Sequence, residues 1–553
     1  MKKFLAMMLL LGMTLFMGTA WANNIAVSNV SITSQNSQGS TTTANINFNI
    51  TWNNSWRNSV NYDAAWVFVK YSTDGGITWA HATLSATGGT TVSDGGTGGI
   101  LNPTGYSVGS GTALQIIVPT ESTSGYKGAF LQRAANGAGT VTTSNVQLVW
   151  NWGANGLLAS TTARVQVYAI EMVYVPTGSF YVGDGTSTSV TGQFCAGSNH
   201  TTPLQIISQG SLTLGGGAGS LGNNNTSGMN TADDFNDGTS KTLPAAFPEG
   251  YNAFYMMKYD ISQGQWRDFL NTLTRTQQNS LIYQGGNGPN YTGVSSISLN
   301  VFAWANSTSA QSRNGVEITA ISSSSAPMTF SCNLNGTVNG SNDGEWIAMN
   351  YLSWMDGAAY AAWAGLRPYT ELEFEKAARG PSSVDTGVNG EYAWGTATYT
   401  AATGTNGGGT NVETPSNAGA NVALGNSGTG GPMRVGSFAA SSTTRVQAGA
   451  SYWGIMDLSG NVWKRPVTVG NTTGRAFTGS NGTGVLATDG NATNSDWPGY
   501  SAGEVSGATG CGFRGGTWST GSTSERVSDR SYAVYADTSR YYDGGARFAR
   551  TSP

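Results

Sequence analysis

The sequence predicts an α+β protein: an all-β, immunoglobulin-like sandwich over residues 23–168, then a mixed α/β domain with long loops over residues 169–553. Three observations carry this. The first part alternates apolar and polar residues with a period of two and shows no helical period. After residue 170, capped amphipathic helices appear between strands. Glycine, at 78 of 553 residues, is about twice its ordinary share of ~7%, so the connections are long and irregular.

The chain opens with Lys2 and Lys3, an apolar run from Phe4 to Phe16, and Ala20-Trp21-Ala22. This pattern predicts a secretory signal peptide over residues 1–22 and a secreted, extracellular or cell-surface product. No later apolar run reaches a membrane-spanning length, so no membrane span is expected. Charged residues make up only 10% of the chain, while 39% hydrophobic residues and 17 Trp exclude wholesale disorder. A net charge of −4 without a basic run excludes nucleic acid as a partner. Cys195, Cys332 and Cys511 are the only cysteines; an oxidising compartment would allow one disulfide and one remaining thiol, with the pair unspecified. His81 and His200 are the only histidines, too few for a histidine-built metal site.

In the first part, Ile46–Ile50 and Val165–Tyr168 alternate cleanly, and Ala64–Tyr71, Leu114–Val118 and Val146–Trp152 read as further strands. Between them, Ser72-Thr73-Asp74-Gly75-Gly76-Ile77-Thr78-Trp79 resembles the Asp-box of sialidases, a hairpin brace in which Asp and Gly form the turn. A single copy implies structure and no sialidase chemistry.

The second part carries a collinear series: Glu171 to Phe180 (EMVYVPTGSF), Ala253 to Ser262 (AFYMMKYDIS), Met349 to Gly365, and Arg367 to Gly380 (RPYTELEFEKAARG). Tyr392–Gly395 (YAWG), Leu458–Trp463 (LSGNVW), Phe513–Trp518 (FRGGTW) and Gly545–Arg550 (GARFAR) complete it. Trp266, Phe269 and Leu270 share one helix face. Ser353 with Asp356, and Thr370 with Glu373, form capping boxes. Gly365 is a helix stop, and Glu375 with Arg379 is an i,i+4 ion pair. In these motifs the chain resembles the formylglycine-generating enzyme (sulfatase-modifying factor) family over roughly residues 170–550. The resemblance implies a variant of the C-type lectin fold. Segments 208–241 and 381–435, rich in Gly, Asn and Ser, read as long surface insertions.

In that family, two cysteines after a GGSW motif bind copper and carry the oxidation of a substrate cysteine. Aligned on Gly515-Gly516-Thr517-Trp518, those positions fall at Thr520 and Glu525, neither of which can supply a thiolate. The expected cofactor is therefore none, with copper disfavoured. Calcium stays open, although Lys464 stands where the family's GNVWEW motif has a carboxylate. Asp529 beside Arg530, and Asp537 near Arg540, are expected as ion pairs. No P-loop or HExxH motif is present.

The forty residues from Cys511 to Arg550 interleave two layers. Gly515, Gly516, Trp518, Arg526, Val527, Ala533, Ala536, Arg540, Arg547 and Arg550 form a framework. The filling is Ser519, Thr520, Ser522, Thr523, Ser524, Ser531, Tyr532, Tyr535, Asp537, Thr538, Ser539, Tyr541, Tyr542 and Asp543, a composition suited to adaptable recognition. Asn is absent from Ser519 to Gly545. The pattern resembles the variable proteins of diversity-generating retroelements, in which adenine mutagenesis of Asn codons scatters a C-terminal patch into this residue set. That resemblance implies a non-catalytic ligand-binding protein with its variable region over residues 513–550 and the filling residues as ligand contacts. Its partner would be a protein or glycan on another cell or a phage. The alternatives are a formylglycine-generating-type oxidase that modifies sulfatase cysteines, and a fixed structural or binding member of the family.

Overall fold

The strand β2 (Thr43–Arg57), between β1 (Ala26–Asn36) and β9 (Gly137–Trp150), sends every second side chain inward. Ala44, Ile46, Phe48, Ile50 and Trp52 are each at most 1% exposed. The computed structural model describes residues 25–36, 43–93, 98–120, 125–158, 161–185, 190–224, 226–282, 301–302, 309–338, 340, 342–381, 390–426 and 428–553. The expected signal segment 1–22 lies outside them. The architecture is α+β and mostly strand, with few helices. No described helix is long and apolar enough to cross a membrane.

A second sheet of nine strands contains β3 (Asp63–Ser72), β4 (Ala80–His81), β5 (Thr90–Val92), β6 (Gly99–Leu101), β7 (Leu114–Pro119), β8 (Ala129–Arg133) and β10 (Arg164–Val175). One face of β3 (Ala65, Val67, Val69) joins the inward residues of β2, β7 and β9 in a buried cluster. Its other face (Ala64, Trp66, Phe68) enters the largest core cluster together with the helices. Burial on both faces explains why β3 reads as a continuous apolar run and β2 as an alternation. β9 ends at Trp150, and the expected strand end at Trp152 instead opens a 3-10 turn, Trp152–Asn155, capped by the Asn151 side chain. At the β3–β4 turn, Asp74 accepts from the Ile77 and Thr78 amides and the Thr78 hydroxyl, at 2.6–3.1 Å, so the Asp-box does act as a brace.

β10 pairs with β3 from Arg164↔Ser72 to Val173↔Asp63. Its end then pairs with Phe254–Met257, which in turn pairs with Ala549–Thr551. One sheet therefore runs from the N-terminal strands to the last residues and anchors the end of the chain.

The helices follow their sequence signals. α1 (Gln263–Leu270) and α2 (Arg275–Leu281) start at capping boxes, Ser262 with Gln265 and Thr274 with Gln277. α3 (Trp354–Ala364) starts at Ser353 with Asp356 and stops at Gly365, whose φ of 71° suits a residue without Cβ. α4 (Glu371–Arg379) starts at Thr370 with Glu373, and Glu375 meets Arg379 at 3.5 Å. α3 is buried on every side, as expected for a helix that is apolar all round.

Two expectations change. Segments 208–241 and 381–435 are more than surface insertions: Leu214, Leu221 and Phe235 enter the largest core cluster, and Tyr392, Trp394, Val422 and Leu424 form a cluster of their own. The three cysteines are free and buried rather than partly bridged, because the fold seats each in a different part of the interior.

Candidate functional site

From Cys511 to Phe548 the described chain forms turns and isolated bridges, and only Ala549–Thr551 is a strand. Such a segment cannot be held by a ladder, so its framework side chains hold it. Arg514, fully buried, donates to Glu371 at 2.7 Å and to Glu375 at 2.8 Å. Arg530 donates to Glu371 at 2.7 Å and forks onto Asp233 at 2.6 and 2.9 Å. Arg547 donates to Asp260 and the Met456 carbonyl at 2.8 and 2.6 Å. The Arg550 guanidinium lies 4.0 Å from the Trp66 ring centroid and donates to the Gly365 carbonyl. Buried, multiply bonded Arg–carboxylate pairs are the geometry that fixes orientation, and the carboxylates come from α4, from segment 208–241 and from Asp260 just ahead of α1.

Over this frame lies an aromatic surface. Tyr532 and Tyr541 are 36% exposed and Tyr542 is 45% exposed. Tyr532 meets Trp463 at 5.6 Å and Tyr535 at 6.1 Å between centroids. Phe513 meets Trp463 at 5.6 Å, and the Arg465 guanidinium stacks 4.2 Å from the Phe513 centroid. Tyr542 packs edge-on against Trp518 at 5.6 Å. These contacts pack the rings against one another and against Trp463 and Trp518.

Asp537 organises the polar part. Its Oδ2 accepts from the Tyr535 and Tyr541 hydroxyls at 2.9 and 3.0 Å, while Oδ1 accepts from the Ser539 amide. Burial alone would raise its pKa, but these bonds to the charged form win and hold it below the ordinary range. The Tyr351 amide fixes the Tyr541 carbonyl at 3.0 Å.

The remaining filling residues sort by exposure. Thr523 is exposed, while Ser519, Thr520, Ser522, Ser524, Ser531, Thr538 and Ser539 are half-buried. Asp543 departs from expectation. At 8% exposed it accepts from Ser519 and Thr517 hydroxyls at 2.6 and 3.1 Å, so it forms part of the floor. Ala536, assigned to the framework, is exposed. The expected ion pairs also change partners. Asp529 accepts from Ser531 while Arg530 turns to Asp233 and Glu371. Arg540 leaves Asp537 and forks onto Asp356 at 2.6 and 2.7 Å, bolting the surface to the cap of α3. In each case the tertiary fold offers a buried bidentate carboxylate that sequence neighbours cannot.

Beneath the surface, the Thr520 hydroxyl donates to Glu525 at 2.8 Å. Glu525 is fully buried, and burial pushes its carboxyl up to about 8 against the opposing bonds from Thr520 and Thr517. Lys464, also buried, donates to the Gly460 carbonyl, and burial brings its ammonium down to about 8. Among the described residues, no three His, Cys, Asp or Glu side chains converge as metal ligands. Trp463, Phe513 and Arg465, all buried, and half-buried Tyr351 support the surface from beneath although they lie outside the filling pattern. The motifs LSGNVW and FRGGTW mark the first two; Arg465 and Tyr351 carry no sequence signal.

The model of the sulfatase-modifying factor enzyme 1-like domain matches residues 159–551. A comparison with curated proteins finds no match. Matched over most of its length, with the capped helices, the closing strand and the arginine-held C-terminal segment all inside the matched span, the chain belongs to the sulfatase-modifying factor enzyme 1-like family.

Proposed function

We propose that this protein is an exported or surface-displayed binding protein, without the catalytic chemistry of its family, whose C-terminal surface is diversified by a retroelement. One observation carries the reading: along Cys511–Arg550 the exposed rings belong to the filling, while the arginines that hold the segment are buried. Residues of the mutable set (Tyr532, Tyr541, Tyr542, Thr523) face outward, while Arg514, Val527, Arg530, Arg547 and Arg550 are buried. A surface of this kind tolerates substitution because its fold depends on other residues. The reading takes residues 23–168 as a β-sandwich stalk or docking module and the rest as a C-type-lectin-like domain that presents the patch.

The same reading explains Thr520 and Glu525. At the positions of the family's copper-binding cysteines stand a hydroxyl and a carboxyl bonded to each other, a pair with no soft ligand and no redox chemistry. The free cysteines are buried, and burial pushes the Cys511 thiol up to about 11, far from a reactive thiolate. The ligand is a protein or glycan on another cell or a phage, held by tyrosine faces and by hydroxyl and carboxylate hydrogen bonds.

The test is to sequence the 3′ end of the gene and its flanks across a population of the source organism. A nearby near-copy of the codons for about residues 513–550, differing at adenines and with substitutions confined to outward positions, is the expected result. An invariant end without a template copy would overturn diversification and leave a fixed binding role.

A further inference from the structure

Away from the C-terminal surface, a crevice of ≈ 280 Å³ opens between the N-terminal strands and the helices, lined by residues of β1, β3, β10, α1 and α3. Its walls are rich in rings. Phe68, Tyr360 and Trp363 are buried, while Tyr168 and Trp346 are half-buried. At ~30 Å³ per water it holds roughly nine waters, room for about one sugar ring.

Two polar atoms of these walls have no partner among the described residues. One is a donor: Trp363 is 4% exposed and its indole N–H finds no acceptor. The Trp363 ring packs among Phe68, Tyr168 and Tyr360, at 4.9–5.5 Å between centroids, whereas its backbone carbonyl accepts from Lys70 outside this crevice. The other is an acceptor: Glu345 Oε2 is buried without a donor. The Glu345 backbone is fixed, because the Gly264 amide donates to its carbonyl at 2.9 Å. Only glycine allows that approach, since a Cβ at Gly264 would lie 3.0 Å from the Glu345 Cβ. A buried polar group left unbonded is costly, so each of the two atoms calls for a partner from outside.

A charged ligand matches the crevice poorly. Arg267 donates to Asp268 at 2.7 and 2.9 Å, so this pair cancels, and Ser262 with Gln265 is engaged in the cap of α1. Burial pushes the Glu345 carboxyl up from its ordinary range, against the neighbouring amides and Arg267. A cation would meet the Trp363 N–H and Arg267, and an anion would meet the two carboxyls. Hydroxyl groups accept from the one unbonded atom and donate to the other. A pyranose carries them on its rim, and its apolar C–H face suits the negative face of an aromatic ring.

We infer that this crevice binds a neutral pyranose unit, with the Trp363 indole as donor, the Glu345 carboxyl as acceptor and the rings of Tyr168 and Trp346 as its platform. The site is separate from the C-terminal surface and does not rest on the function proposed for that surface.

The experiment is titration calorimetry and saturation-transfer NMR of the purified full chain with the methyl glycosides of glucose, galactose, mannose and N-acetylglucosamine. Choline chloride and sodium sulfate serve as charged probes at constant ionic strength. Saturable one-to-one binding of at least one glycoside is expected, with neither charged probe bound. Glu345→Ala, at a half-buried position, should weaken it by at least about tenfold, and Glu345→Gln, which keeps an acceptor oxygen, should bind close to wild type. Trp363→Phe keeps a ring and loses the N–H, so it should weaken binding as Glu345→Ala does. Tyr532→Ala on the C-terminal surface should bind as wild type, which separates this site from that one. Stronger binding of disaccharides ending in the same sugar would assign the unit to the end of a glycan, and weaker binding to a free sugar; both support the site. Absence of saturable binding for all four glycosides, tighter binding of choline or sulfate, or equal binding by Glu345→Ala and wild type would overturn the assignment.

Discussion

The Thr520 hydroxyl donates to Glu525 Oε1 across 2.8 Å beneath the C-terminal surface, and this bond joins a half-buried residue to a fully buried one. Burial keeps Glu525 protonated up to about pH 8, whereas an unfolded glutamate ionises near pH ~4.3. Between those values the unfolded chain has released a proton that the folded chain retains. Glu525 therefore contributes its full stability below about pH 4.3 and loses it as pH rises towards 8. The loss is at most about 1.4 kcal/mol per pH unit. Glu525→Gln, which stays neutral, should flatten this dependence in urea unfolding at pH 5 and pH 8. Equal losses in variant and wild type would show that Glu525 is ionised in the fold.

Arg530 joins Asp233 and Glu371, all fully or nearly buried. Arg530→Met strands two carboxylates, and removing one partner of a buried pair costs about 3–5 kcal/mol. The midpoint of urea denaturation should fall accordingly. A loss below about 1 kcal/mol would mean that segment 208–241 is not held through this pair.

At the surface, alanine at Tyr532, Tyr541 or Tyr542 removes ring area that the fold does not need. If these rings are hot spots, each change should cost on the order of 1–4 kcal/mol of ligand affinity, with little change in Tm. Ligand binding unchanged by all three together would place the recognition surface elsewhere. Tyr541→Phe separates ring from hydroxyl, because it loses only the bond to Asp537.

Burial pushes the Cys195 and Cys332 thiols up to about 12 and Cys511 up to about 11. Ellman's reagent should therefore find almost no thiol in the native protein at pH 8. In denaturant it should find all three free cysteines. One thiol in denaturant would reveal a disulfide.

Thr370→Ala removes the hydroxyl that accepts from the Glu373 amide at 3.1 Å and donates to the Pro248 carbonyl at 2.8 Å. Loss of such a cap costs about 0.5–2 kcal/mol. Thermal unfolding should show it, and an unchanged Tm would mean that Glu373 holds the helix start alone.

The sequence by itself determined the local devices, because each depends on residues a few positions apart. The alternation of β2, the capping boxes of α3 and α4, the stop at Gly365 and the Asp74 turn all rest on periods or spacings that are visible in one dimension. Along Cys511–Arg550 the sequence shows two residue types but not their depth, since Asp543 of the filling is buried and Ala536 of the framework is exposed. Only the tertiary structure decided which charges meet. Arg530 lies 159 residues from Glu371 and 297 from Asp233, and Arg540 lies 184 from Asp356. Those partners outcompete sequence neighbours because a buried bidentate bond orients both groups where water cannot. The same holds for Asp543, drawn beneath the surface by Thr517 and Ser519.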